Sequence, residues 1–179
     1  TAQAACISLG IPPDRVGSEA STFIDSADIV DVLVSTDLHY QICEPLFKAG
    51  KDLFIEKPMT TVCREAERLL LLSQRYGNVV QIGFYFRSHP LSQIVKAEID
   101  SGKLGNIRYI SGRFHGFKRA RGDSGVVQND AVHFIDQSNW LLGELPVEVS
   151  AITRDHFRRG HDDFGLIQLF YPSGVIANI

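Results

Sequence analysis

The chain has 179 residues, 44% hydrophobic and 22% charged, ordinary figures for one folded domain or two small ones with a real core. Its net charge of −3 offers no basic footprint and argues against a nucleic-acid partner. No apolar run approaches the roughly 18 residues of a membrane span, no signal peptide opens the chain, and three cysteines without CxxC or metal spacing suit a reducing, cytoplasmic compartment.

Residues 1–10 read as the end of a helix, with Ala2, Cys6 and Leu9 on one side and Gly10 as a stop. Pro12 and Pro13 break any continuation. A short helix is expected over 18–25, then a strand over 29–34 so apolar that helices should cover both its faces. Ser35 to His39 forms a strand-to-helix turn. The helix that follows, over 38–49, carries Pro45 in its interior, which predicts a kink or two separate turns. Gly50 closes it. Leu53 to Ile55 reads as a short buried strand that delivers Glu56, Lys57 and Pro58 at its C-terminal end, where open α/β sheets hold their ligands. Thr60 or Thr61 can cap the next helix, whose stripe of Val62, Ala66, Leu69, Leu70, Ser73 and Tyr76 ends at Gly77. Residues 79–82 form another short strand. This alternation of helix and strand with brief connections argues a parallel sheet with crossover helices.

Near Gly83 the pattern changes. A helix is expected over 91–100, closed by Ser101 and Gly102, and residues 107–117 alternate with period 2 as an antiparallel strand would. A polar loop through 119–125 leads to a helix over 128–142, stopped by Gly143. Strands over 147–153 and 164–171 follow, and Pro172, Ser173 and Gly174 make a hairpin turn into 175–179. The fold class is therefore α/β, with a parallel α/β domain over 1–83. An α+β domain with a mainly antiparallel open sheet occupies 84–179.

Two polar clusters carry candidate chemistry. A lysine at a strand exit is costly to bury without a partner or a purpose. It can also be one half of a Glu56–Lys57 pair whose chains reach water. On the 128–142 helix, Asn129, His133, Asp136 and Trp140 fall on one face. There Asn129 can orient a ligand hydroxyl, His133 can take its proton, and Asp136 can hold the imidazole or the helix in place. A core histidine bonded to Asp136 beside Trp140 satisfies the same spacing, and Asp130 competes for any polar role. Lys57 and His133 are far apart in sequence, in different expected domains, as the two walls of an interdomain cleft would be.

Six segments in order carry a resemblance: 49–58 (AGKDLFIEKP), 35–39 (STDLH), 83–87 (GFYFR), 101–105 (SGKLG), 125–136 ending in His133-Phe134-Ile135-Asp136, and 162–174. Together they resemble the glucose–fructose oxidoreductase/inositol dehydrogenase family of nicotinamide-dependent sugar and polyol dehydrogenases. The resemblance implies an NAD(P)-dependent oxidoreductase, transferring a hydride between NAD or NADP and a hydroxyl carbon of a sugar, sugar derivative or cyclic polyol. It implies Lys57, His133 and Asn129 as catalytic residues, with Lys57 anchoring the reacting oxygen and His133 as general base. Ser35, Thr36, His39, Glu56, Lys57 and Arg87 would bind the cofactor. Lys57, Tyr85, Asn129 and His133 would meet the substrate, and a homo-oligomer would form through the C-terminal sheet. Asp37 stands where the family usually has proline, and Asn129 where many members have aspartate. Since an asparagine cannot share the proton, His133 would act alone, with Asp130 or with water.

The 15 glycines include no G-x-G-x-x-G, so the family's first strand and phosphate loop are expected upstream of Thr1, and the chain is expected to be incomplete at both ends. No residue is assigned to a metal, although His156, His161, Asp162 and Asp163 cluster in one loop. Arg113, Lys118, Arg119 and Arg121 form a basic stretch that could meet an anionic substrate or lie exposed. Two further readings of the scaffold are a non-catalytic sugar- or partner-binding relative and an imine or biliverdin-type reductase.

Overall fold

A computed structural model of the chain describes residues 6–116 and 124–179. Most of the expected N-terminal helix (1–5), Phe117, and the basic residues Lys118, Arg119 and Arg121 lie outside them.

The first half is a parallel three-stranded sheet in the order β1 (Ile29–Val32), β2 (Asp52–Ile55), β3 (Val80–Ile82). Helices α1 (His39–Lys48) and α2 (Cys63–Tyr76) make the crossovers. Val32, Ile55 and Ile82 pair side by side, so the three strands end level. That register puts Ser35, Glu56, Lys57 and the 83–87 segment on one rim. Beneath it, Val32, Leu53 and Ile55 pack against Cys43, Leu46 and Phe47 of α1 and Leu69 of α2. Each such burial contributes roughly 1.5–3 kcal/mol before entropy is counted.

The second half is a four-stranded sheet, β4 (Tyr109–Ser111), β5 (Glu148–Arg154), β6 (Phe164–Phe170) and β7 (Ile176–Asn178), in the order β4-β7-β6-β5. Helix α4 (Val132–Leu142), preceded by a π-helical turn at Val127–Ala131, lies on it. Ile135 and Leu142 pack there against Ile167, Leu169, Tyr171 and Ala177. Helix α3 (Pro90–Asp100) starts where the His89 ring accepts the Leu91 N–H, and Gln137 donates to Ser92 to tie α4 to α3. The hairpin at 172–174 joins antiparallel β6 and β7, with Gly174 at φ 83°.

Several local expectations are corrected. Residues 18–25 form two 3-10 turns, Ala20–Thr22 and Ile24–Ser26, rather than a helix. Helix α1 runs through Pro45 as one segment, not as two separate turns. Neither threonine caps α2: its N-cap is Val62, and the Thr60 hydroxyl donates instead to the Val62 carbonyl. Among the described residues helices do not cover both faces of β1, where Ile29 is 66% exposed while Val32 is buried. The 107–117 alternation yields only three strand residues, and β4 pairs parallel to β7, not antiparallel. Ile107 and Ile110, placed on opposite faces by period 2, both pack on the second core because Ile107 precedes the strand.

Candidate active site

Lys57 leaves the C-terminal end of β2 and crosses to the second half of the molecule. Its Nζ donates to the main-chain carbonyl of Asn129 at 2.6 Å, the short contact of a charge-assisted bond. The peptide after it, Lys57–Pro58, is cis. Glu56 turns back on the chain, accepting the Lys57 N–H at 2.9 Å. Gln128 donates to the Thr61 carbonyl at 3.0 Å, a second tie between the lysine's loop and the π turn. The wide cleft beside this junction is lined by Ser35, Lys57, Asn129, Asp130, Arg113 and Phe114 among others.

His133 lies one turn along α4 from Asn129 and is 8% exposed. It is outside the wall of the wide cleft, packed instead against three consecutive aromatic rings. The centroids of Phe84, Tyr85 and Phe86 stand 6.3, 5.1 and 5.1 Å from that of the imidazole. Its Nδ1 is buried without a hydrogen-bond partner, an arrangement that costs energy unless a ligand or water completes it. Burial lowers the His133 pKa, and the Lys57 ammonium lowers it further against the opposing carboxylates of Asp130, Glu56 and Asp136. A neutral imidazole near pH 7 is the form a proton acceptor needs.

Asp136 does not hold the imidazole. Its buried carboxylate takes Arg87 in a two-pronged pair, Nε to Oδ2 at 2.8 Å with the terminal guanidinium nitrogen on Oδ1. That pair raises the Arg87 pKa and pins the aromatic segment to α4. The face expected from the helical spacing is also altered by the π turn, which shifts the hydrogen-bond register just before His133. Asn129 turns its amide away from the imidazole, donating to the Ser124 carbonyl at 3.1 Å and the Ser124 hydroxyl at 2.8 Å.

Of the residues expected to bind a cofactor, Ser35 is exposed on the cleft, whereas Thr36 is 3% exposed. His39 is fully buried, with its two ring nitrogens 3.1 Å from the carbonyls of Met59 and Val34. The His39 ring thus lies between the β1–α1 turn and the loop after Lys57. Tyr85 is 58% exposed and packs on the His133 ring, outside the lining of the wide cleft.

Asp162, at the start of the 162–174 segment, is tied to the π turn. Its carboxylate accepts the Val127 N–H at 2.8 Å and anchors the start of the π turn. The fit is so close that a Cβ on Gly125 would lie 2.1 Å from Asp162 Oδ1, so any side chain there must push the carboxylate aside. Asp163 is likewise committed to the backbone N–H groups of His156 and Phe157. The signal for Asp162 was a glycine shortly before a helix start, which sequence spacing alone does not link to an acid so far downstream. Among the described residues no helix is long and apolar enough to cross a membrane.

Comparison with known proteins follows the same division. Residues 1–84 match the oxidoreductase family with an NAD-binding Rossmann fold, and 92–179 match the GFO/IDH/MocA C-terminal domain. Inositol 2-dehydrogenase 2 of Saccharopolyspora erythraea is 31% identical over 173 residues, 92% of this chain and 51% of that protein. The WlbA dehydrogenase of Bordetella pertussis, solved with NADH and UDP-GlcNAcA, superposes with a TM-score of 0.87 at 25% identity, covering 99% of this chain and 59% of that one. An inositol dehydrogenase homolog of Azotobacter vinelandii, complexed with NADH and myo-inositol, has a TM-score of 0.87 over 97% of this chain and 51% of its own; at 22% identity this speaks for the fold. The chain spans about half the length of the curated relatives it matches, or less.

Proposed function

The chain belongs to the GFO/IDH/MocA oxidoreductase family, and on that premise we propose that it works as the catalytic part of an NAD(P)-dependent dehydrogenase acting on a hydroxyl carbon of a sugar, sugar derivative or cyclic polyol. One observation carries the reading: Lys57 reaches from the first sheet to the Asn129 carbonyl, one helical turn from a buried imidazole whose Nδ1 lacks a partner. Two such groups converging across two structural halves are what alcohol oxidation needs. A substrate hydroxyl would supply the hydrogen-bond partner that the site lacks.

In this reading the nicotinamide, when bound, would accept the hydride. His133 takes the hydroxyl proton, which its lowered pKa allows at neutral pH. Lys57 hydrogen-bonds the same oxygen and stabilises charge that develops there as the C–H bond breaks and the carbonyl forms. The aromatic segment 84–86 excludes water from the imidazole, and Arg87 with Asp136 holds that segment in place. Ser35, exposed on the rim with Lys57 and Glu56, would meet the cofactor, with Thr36 and His39 shaping the turn from inside. Arg87, tied up with Asp136, would act on the cofactor only at second hand.

Residues 1–83 would then serve as the partial dinucleotide-binding unit and 84–179 as the substrate-binding one. The exposed edge strand β5 supports assembly of like subunits through the second sheet. The free cysteines Cys6, Cys43 and Cys63 support a cytoplasmic setting. The test is crystallography of the protein with NAD or NADP and a panel of polyols and sugars. Density for a hydroxyl between Lys57 Nζ and the His133 ring supports the proposal. Ligand bound elsewhere, or nicotinamide binding without turnover of any sugar, favours a non-catalytic relative.

A further inference from the structure

Asn129 sits where a proton-sharing acid would be useful, yet its main-chain N–H and carbonyl and its side-chain amide nitrogen are all committed. Its N–H donates to the Gly125 carbonyl at 3.0 Å, its amide nitrogen donates twice to Ser124, and its carbonyl accepts Lys57. Asn129 and Ser124 are 8% and 4% exposed, so water cannot substitute for these bonds at little cost. The turn that carries Asn129 is fixed from outside as well, by Asp162 at Val127 and by the Thr61 carbonyl at Gln128.

We propose that Asn129 is a positioning residue for the reaction suggested above: its side-chain amide, locked on Ser124, aims its main-chain carbonyl at the Lys57 ammonium. The inference rests on that reading for its catalytic meaning, though the geometry stands without it. The chemistry of Ser124 decides which side chain can do this. A main-chain carbonyl oxygen only accepts, so the atom facing it must donate, and an amide nitrogen does so. Aspartate would set a carboxylate oxygen against that carbonyl inside a buried site, two acceptors with no proton between them. The serine hydroxyl could turn to satisfy one oxygen, but not both contacts. Asn129 is therefore not a weakened acid. The position calls for a donor, and restoring a carboxylate there would release the π turn rather than improve catalysis.

Competitive labelling of lysine amines, read by mass spectrometry on the whole protein without cofactor or substrate, tests this separately from the dehydrogenase reading. In the parent protein Lys57 should label well below the exposed Lys103 in the same sample, and equal rates would overturn the proposal. Asn129→Ala and Asn129→Asp, checked for folding by circular dichroism, should each raise Lys57 labelling roughly fivefold or more relative to Lys103. Ser124→Ala, which keeps the carbonyl acceptor, should give a smaller rise in the same direction. A global loss of structure would raise every lysine together and so is told apart. Lys57 staying as protected in folded Asn129→Asp as in the parent would refute the requirement for a donor. If turnover is then measured, Asn129→Asp should resemble Asn129→Ala; activity above the parent's would point to proton sharing instead.

Discussion

Replacing Arg87 with alanine would leave a buried carboxylate without its cation. Asp136 is 7% exposed at its side chain and Arg87 47%, and the pair makes two charge-assisted bonds. Breaking a fully buried pair costs about 3–5 kcal/mol and breaking a surface pair about 0–1, so the half-exposed guanidinium places this one at about 2–3 kcal/mol. For a chain of this length that is a fall in Tm of roughly 4–12 °C by calorimetry. Asp136→Asn in the Arg87→Ala background should recover about 1 kcal/mol, since the stranded charge is then gone. The same substitution in the parent should be destabilising. Equal effects of Asp136→Asn in the two backgrounds, or an Arg87→Ala loss below about 0.5 kcal/mol, would refute the view that this pair pins the aromatic segment to α4.

The remaining predictions concern the imidazole, the π turn and the core. His133 should titrate below 6.5 by NMR, and Lys57→Met should move its midpoint upward, because the ammonium is one of the causes of the depression. Since the folded state disfavours the charged ring, its contribution to stability is complete above pH 6.5 and is lost as pH falls through the folded midpoint, which pH-dependent denaturation can follow. Gly125→Ala should cost about 1–3 kcal/mol by forcing Asp162 off the Val127 N–H, read as a lowered denaturation midpoint. Ile55→Ala, at a fully buried position directly beneath the Lys57 rim, should cost about 2–5 kcal/mol in the same assay.

The parallel sheet was legible because short apolar strands and amphipathic helices alternate with glycine stops. Gly77 and Gly143 do adopt the left-handed conformation that ends a helix, at φ 71° and 70°. That Lys57 needs a partner was legible as well, since a lysine leaving a buried strand calls for one, while spacing left open whether it meets the 128–142 helix or Glu56 beside it. The identity of that partner was not: a main-chain carbonyl leaves no mark in the residue pattern. Helical spacing also assumes 3.6 residues per turn, so the π turn at Val127–Ala131 was invisible, and with it the direction of the Asn129 amide. Asp136 was assigned to His133 because they are sequence neighbours, while Arg87, 49 positions away, had the stronger claim on it. The alternation over 107–117 failed for a related reason, because period 2 reports faces but not how many residues find a partner strand.

Isotope transfer is the most direct measure of whether Lys57 and His133 act on one alcohol carbon. Polyols and sugars deuterated at their carbinol positions would be incubated with the protein and NAD or NADP, and the nicotinamide analysed by mass spectrometry. The account predicts deuterium on the nicotinamide with the parent protein, and a loss of about 100-fold or more in His133→Ala and in Lys57→Ala while both remain folded. Transfer that persists at the parent rate in either variant would contradict it.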